Sequence, residues 1–258
     1  MVTFTHRFVA LGDSFTEGVG DRDPKLPNGV RGWADRVAEQ LMLSDADWGY
    51  ANLAIRGRKL WQVVEEQLEP ALALRPTLVT LYAGGNDILR PSVDIDALME
   101  MYDDGVARLV DSGADVVLFT GFDSAKSAVF GKTRGRTAIY NEWVREIADR
   151  RGAKLVDYWR LREFQDWRYW DEDRLHMSAA GHTLMAKRVL EVLQHDDLIE
   201  LPELPALSTL SRRESLAANA RWAREHLGPW LGRRLRGVSS GDSLRPKYPE
   251  LTALSPRS

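Results

Sequence analysis

The 258-residue sequence contains no cysteine, which excludes disulfide bonds, a cysteine nucleophile and thiolate metal ligands. It has no run of about 18 apolar residues, so no membrane-spanning helix is expected. Metal-ligand motifs such as H-E-x-x-H, phosphate-binding loops and dinucleotide-binding fingerprints are also missing. We therefore expect no metal and no organic cofactor, and any chemistry must come from common polar side chains.

The chain also lacks a large excess of one charge. Its formal net charge is -3, with 44% hydrophobic and 28% charged residues, which is typical of a globular domain and predicts no nucleic-acid partner. The start, MVTFTHRFVALGDSF, has none of the features of a signal peptide. A cytoplasmic location is the expectation. The charge is nevertheless uneven, because residues 211–258 carry a net +6 and the preceding residues a net -9.

Short apolar segments alternate with longer amphipathic ones along the first 195 residues. The apolar segments, predicted as strands, are residues 8–11, 50–55, 77–83, 115–122 and 153–158. The predicted helices are residues 33–43, 60–74, 95–111, 136–151 and 179–193, the last with Ser178 as its N-cap. Because parallel strands need crossover connections, this order predicts an α/β fold. We expect a three-layer α/β/α sandwich around a flavodoxin-like, five-stranded parallel sheet.

The chain is predicted to divide into residues 1–199, a catalytic domain, and residues 200–258, a basic C-terminal extension. The extension consists of a Pro-punctuated linker, a helix over residues 211–227 that ends at Gly228-Pro229, and an irregular tail. An apolar stripe favours docking of this helix on the acidic domain; it consists of Leu216, Ala220, Ala223 and Leu227. A solvated tail and an extension that binds an anionic macromolecule are the alternatives.

Catalytic residue types follow the first and last predicted strands. Ser14 lies in Gly-Asp-Ser-Phe directly after the first strand, where its hydroxyl faces the rim of the sheet. A serine needs a base to become nucleophilic. Asp173 and His176 stand three residues apart before the last helix, so the carboxylate can orient the ring while its other nitrogen takes the serine proton.

Two further segments offer donors for an oxyanion. Gly57 follows the second strand and can present its backbone N–H, and Asn86 follows the third strand in Gly-Gly-Asn-Asp and can present its amide.

The sequence resembles the SGNH/GDSL hydrolase family over roughly residues 7–195. The resemblance lies in four blocks: GDSF, the glycine after strand two, GGND and DRLH. The resemblance implies Ser14 as nucleophile and first oxyanion donor, with Gly57 and Asn86 as the other donors. It also implies His176 as base and Asp173 as the acid of the triad. The extension lies outside this pattern and is similar to one seen in some actinobacterial members.

The expected activity is that of a serine esterase or acylhydrolase acting on a small-molecule ester. An acyltransferase, an O-deacetylase of a carbohydrate or another metabolite, and a non-catalytic binding module are the alternatives.

Some single residues also have two interpretations. His182 is a rival base, and Asp87 is expected to hold the Asn86 loop by backbone hydrogen bonds. Trp159, Trp167 and Trp170 are candidates for an acyl pocket.

Residues 237–241 (GVSSG) match the G-x-S-x-G nucleophile motif, but no strand precedes them and no histidine follows. We interpret them as a flexible segment.

Overall fold

A six-stranded sheet lies at the centre of the structure, a computed structural model that describes residues 3–127, 130–206 and 211–255. The strands are β1 (His6–Gly12), β2 (Trp48–Asn52), β3 (Leu78–Tyr82), β4 (Asp115–Phe119), β5 (Lys154–Val156) and β6 (Tyr248–Thr252). Their order is β5-β4-β3-β1-β2-β6. The first five strands are parallel in the order of flavodoxin-like sheets, which confirms the predicted α/β architecture.

Helices cover both faces of this sheet. They are α1 (Ser14–Glu17), α2 (Trp33–Ser44), α3 (Leu60–Ala73), α4 (Gly85–Ile88), α5 (Ile95–Asp111), α6 (Arg134–Arg151), α7 (Ala179–Leu193), α8 (Arg212–Trp222) and α9 (Gly228–Leu235). Helices α2 and α7 pack on one face, and α3, α5 and α6 pack on the other. The short helices α1 and α4 directly follow β1 and β3. No helix within the described residues is long and apolar enough to cross a membrane.

Strand β1 is buried on both sides, which explains its continuous apolar sequence. Val9 and Leu11 face the core formed with α3 and α5, whereas Phe8 and Ala10 face the core formed with α2 and α7. A central parallel strand covered on both faces has this composition because neither side meets water. The end of β1 is therefore fixed in the middle of the sheet, beside the ends of β2 and β3.

The C-terminal extension differs from the prediction in two respects. The helix does not end at Gly228-Pro229. A π-helical turn over Ala223–Leu227 joins α8 to α9, and the Gly228 N–H bonds to the Ala223 carbonyl across it. The tail is not irregular throughout either. Strand β6 pairs antiparallel with β2, so the sheet has six strands and its last strand comes from the extension.

A buried ion pair joins the extension to α2. Lys247 Nζ lies 2.9 Å from Asp35 Oδ1 and 2.8 Å from Oδ2, and both side chains are buried. The same ammonium group donates to the Arg31 carbonyl oxygen at 2.5 Å. Of the predicted apolar stripe, Leu216 is 69% exposed and Ala220 is exposed as well, whereas Ala223 and Leu227 are half-buried. The extension is held by polar anchors, the added strand and its tryptophans.

Candidate active site

Ser14 begins α1 at the carboxyl end of β1, as the sequence predicts. The preceding Gly12 has φ +144°, and a Cβ at this position would overlap the Tyr82 carbonyl oxygen. Glycine therefore allows β1 and β3 to approach closely at the point where the chain turns. The Asp13 carboxylate caps the turn by accepting from the Phe15 N–H at 3.1 Å. Ser14 consequently faces a cavity of about 350 Å³ at the rim of the sheet.

Asp173 and His176 form a hydrogen-bonded pair on the wall of this cavity. Asp173 Oδ2 lies 2.5 Å from His176 Nδ1, and Oδ1 accepts the backbone N–H groups of Leu175 and His176, each at 2.9 Å. Burial alone would raise the pKa of Asp173. The His176 ring and the two N–H donors outweigh burial and lower this pKa to about 2. Asp173 is thus an anion that holds the His176 ring by Nδ1.

All five residues predicted for the site line the same cavity: Ser14, Gly57, Asn86, Asp173 and His176. Within the described residues, however, no hydrogen bond joins the Ser14 hydroxyl to the His176 ring. Catalytic hydrogen bonds are often long in ligand-free enzymes and shorten when substrate binds. The structure brings Ser14 and His176, the predicted nucleophile and the predicted base, to one cavity without a hydrogen bond between their side chains among the described residues.

The three expected oxyanion donors differ in their surroundings. The N–H groups of Ser14 and Gly57 have no hydrogen-bond partner in the part of the chain that the structure describes. The Asn86 amide is engaged, because Nδ2 donates to Asp13 Oδ2 and to the Arg58 carbonyl oxygen, each at 3.0 Å. These two bonds fix the orientation of the amide, and a substrate oxygen would have to share or replace one of them.

Asp13 is a site residue that the sequence interpretation missed. Its side chain is buried against the cavity, and burial raises its pKa to about 7, although N–H donors reach both carboxylate oxygens. It links the nucleophile turn to Asn86. The only signal in the sequence was its position directly before Ser14 in the Gly-Asp-Ser motif.

His182, the rival base, is buried and bound to the backbone through both ring nitrogens. Nδ1 accepts the Trp33 N–H at 3.2 Å, and Nε2 lies 3.1 Å from the Val19 carbonyl oxygen to which it donates. Burial lowers the pKa of His182 to about 4. The ring is therefore neutral near neutral pH, and it links α2 to the loop after α1.

Asp87 and the three tryptophans have the following surroundings. The Asp87 carboxylate accepts its own backbone N–H, a hydrogen bond within the Asn86 loop, and its Oδ2 also accepts the Leu60 N–H at 2.9 Å and so supports the start of α3. Of the three tryptophans, only Trp170 lines the cavity, beside Phe122 at a ring-centroid distance of 4.6 Å. Trp167 is 43% exposed.

The segment 237–241, expected to be flexible, forms part of the cavity wall. The Ser239 Oγ donates to the Arg56 carbonyl oxygen at 3.0 Å, directly beside Gly57. Trp230, Arg233 and Val238 line the same cavity. On the other side of the site, Trp222 Nε1 donates to the Asp173 carbonyl oxygen at 2.9 Å. The extension therefore contacts both the acid–base pair and the glycine loop.

A serine, a His–Asp pair and N–H donors at one rim of a parallel sheet form one of the arrangements in which serine hydrolases carry their triad. The sequence matches the model of the GDSL-like Lipase/Acylhydrolase family over residues 10–184. The chain belongs to this family, and the predicted class, a carboxylic ester hydrolase, is confirmed.

Solved structures share the fold at low sequence identity. A catalytic mutant of the acetylxylan esterase Axe2 from Geobacillus stearothermophilus is 19% identical, with a TM-score of 0.63 over 76% of this chain and 97% of that one. The psychrotrophic esterase EstA from Pseudoalteromonas sp. is 16% identical, with a TM-score of 0.58 over 73% and 97%. TesA is 20% identical, with a TM-score of 0.58 over 73% and 98%. No curated protein matches the sequence.

Proposed function

We propose that the protein hydrolyses a small-molecule carboxylic ester through an acyl-enzyme at Ser14. His176 Nε2 takes the Ser14 proton as Oγ attacks the ester carbonyl carbon. The tetrahedral oxyanion is held by the N–H groups of Ser14 and Gly57 and by the Asn86 amide. Collapse expels the alcohol, which receives the proton from His176. Water then attacks the acyl-serine with His176 again as base; His176 passes the proton to Ser14 Oγ as the acid leaves, which restores the enzyme.

The observation that carries this proposal is the contact between Asp173 and His176 on the wall of the Ser14 cavity. A carboxylate 2.5 Å from Nδ1 fixes the tautomer in which Nδ1 bears the proton. Nε2 is then the basic nitrogen, as general-base catalysis on a serine requires. The N–H groups of Ser14 and Gly57, which have no hydrogen-bond partner among the described residues, supply the donors that such a reaction also needs.

The volume and the lining of the cavity also indicate which substrates it can hold. Its volume of about 350 Å³ lies near the lower end of the range for small-molecule sites. Aromatic side chains, including Phe15, Tyr158 and Trp170, line part of its wall. These features support esters with a short acyl group. One structure with the same fold is an acetylxylan esterase, so acetylated sugars belong among the substrates to be tested.

The experiment compares the wild-type protein with Ser14→Ala on p-nitrophenyl esters of increasing acyl length and on acetylated xylo-oligosaccharides. We expect turnover by the wild type, highest on short acyl chains, and no turnover above background by Ser14→Ala. Product analysis with added alcohols separates hydrolysis from acyl transfer. Full activity of Ser14→Ala would refute the proposal.

A further inference from the structure

Ser239 is fixed against the loop that carries Gly57. Its hydroxyl donates to the Arg56 carbonyl oxygen at 3.0 Å and accepts the Gly241 N–H at 3.1 Å. Its own N–H donates to Asp242 Oδ2 at 2.7 Å. Asp242 is in turn paired with Arg58 at 3.2 Å. The Ser239 side chain is thus held by a local turn and by a link back to the same loop.

The bond to Arg56 matters because the Arg56 carbonyl and the Gly57 N–H belong to one peptide unit. No peptide bond within the described residues is cis. In a planar trans unit, the C=O and N–H bonds point in opposite directions. The hydrogen bond that fixes the carbonyl therefore also fixes the direction of the Gly57 N–H. A donor on the carbonyl oxygen further polarises the N–H, because hydrogen bonds in series strengthen one another.

The backbone N–H and the side chain of Arg56 are also fixed by hydrogen bonds. Its N–H donates to Glu17 Oε2 at 2.7 Å, and its guanidinium binds the same buried carboxylate at 2.7 and 2.9 Å. Gly57 has φ +81°, and a Cβ there would overlap the Ser239 hydroxyl. The glycine is required both by its backbone conformation and by the close approach of Ser239. The loop that carries Gly57 and the extension that carries Ser239 are therefore closely packed at this position.

The extension supports the acid–base pair as well. Trp222 Nε1 binds the Asp173 carbonyl oxygen, and the Arg174 guanidinium stacks over the Trp222 ring at 5.0 Å from its centroid. Arg174 Nη1 also donates to Asn219 Oδ1 at 2.8 Å. These contacts hold the Asp173 loop from outside, so the extension reaches the catalytic centre on two sides.

We infer that Ser239 is a positioning residue for the oxyanion hole, and that the extension completes a catalytic centre whose reacting groups lie in residues 10–184. Ser239 orients the Gly57 N–H through the Arg56–Gly57 peptide and does not touch the substrate in this role. The inference rests on the proposed function, since it assigns Gly57 as an oxyanion donor. The inference gives the extension a role in the chemical step, in addition to any role in the stability of the fold.

The test is Ser239→Ala in the full chain, with Ser243→Ala, an exposed serine of the same segment, as the matched control. Misplacing a transition-state donor costs on the order of 10- to 100-fold in rate. We expect kcat of Ser239→Ala to fall by that factor, with KM within about twofold of wild type because the donor acts mainly in the transition state. Ser243→Ala should behave as wild type.

A second readout separates orientation of the donor from loss of structure. A trifluoromethyl ketone forms a tetrahedral adduct with the serine and places an oxyanion in the hole. Its affinity should weaken by the same factor as kcat/KM, while the melting temperature of Ser239→Ala stays close to that of wild type. Wild-type kcat and ketone affinity in Ser239→Ala, or a rise in KM alone, would overturn the inference.

The two proposals fail in different ways. Activity that survives in Ser14→Ala would refute the proposed function itself. An inactive Ser14→Ala together with a fully active Ser239→Ala would leave the proposed function intact and refute only the role of Ser239.

Discussion

The Nδ1 atom of His176 lies 2.5 Å from Oδ2 of Asp173, and the same carboxylate binds the backbone N–H of His176 through Oδ1. Asp173, three residues before His176 in sequence, therefore binds this residue twice, once through the ring and once through the backbone N–H. This arrangement leaves Nε2 as the nitrogen available to Ser14. His182, in contrast, has both ring nitrogens bound to backbone atoms.

Replacing each histidine by alanine should therefore have opposite effects. We expect His176→Ala to lower kcat by at least about 10³-fold, as removal of a triad base does. His182→Ala should cost about 1–3 kcal/mol of stability, because it leaves buried backbone groups unpaired. Its folded fraction should keep near-wild-type kcat. Ester kinetics and urea unfolding of both variants check this, and the reverse pattern would show that the base is misassigned.

Asn86→Ala tests the side-chain donor of the oxyanion hole. Removal of such a donor lowers kcat by on the order of 10²–10³, with little effect on KM, because the bond is strongest in the transition state. Steady-state kinetics on a p-nitrophenyl ester measure both values. A raised KM with unchanged kcat would mean that Asn86 only binds the ground state.

The low pKa of Asp173 predicts a pH-dependent contribution to stability. Its pKa is about 2 in the folded state and 3.8 as the ordinary value, so ionised Asp173 stabilises the fold by roughly 2 kcal/mol. The contribution is fully present above the ordinary value and is lost as the pH falls through about 2. Urea unfolding should show wild type more stable than Asp173→Asn at pH 5, by an amount that shrinks towards pH 3. A difference independent of pH would contradict this assignment.

Lys247 should be the strongest single anchor of the extension. Lys247→Met leaves Asp35 buried without its partner, and loss of one member of a buried pair costs about 3–5 kcal/mol. Lys154→Met, which breaks the exposed pair with Asp115, is the matched control and should cost about 0–1 kcal/mol. Thermal and urea unfolding of the two variants measure how much stability each substitution costs. Equal effects of the two substitutions would show that the buried pair does not hold the extension.

Helices and buried strands could be predicted from the sequence because their apolar residues recur in regular patterns. Helices α5 and α7 begin and end at the predicted residues, because their apolar spacing and capping residues mark both ends. The five parallel strands were found because burial on both faces requires apolar runs. The order of the motifs at strand ends then placed Ser14, Gly57 and Asn86 at one rim.

The extension could not be predicted in the same way. Strand β6 has the sequence YPELT, and its proline argues against a strand except at a sheet edge, a strand start or a bulge. Ser239 and Lys247 act through contacts with residues 183 and 212 positions away, and no local pattern encodes such pairs. The role of Asp13 depends on burial, which a single residue type does not reveal.

The most direct test of the account is the site of covalent labelling by a fluorophosphonate probe, since two candidate serines, Ser14 and Ser239, line the same cavity. Peptide mass spectrometry of the labelled full-length protein should place the phosphonate on Ser14. Labelling should be lost in Ser14→Ala and retained, though slower, in Ser239→Ala. A phosphonate on Ser239, or labelling that survives in Ser14→Ala, would contradict the central claim that Ser14 is the nucleophile.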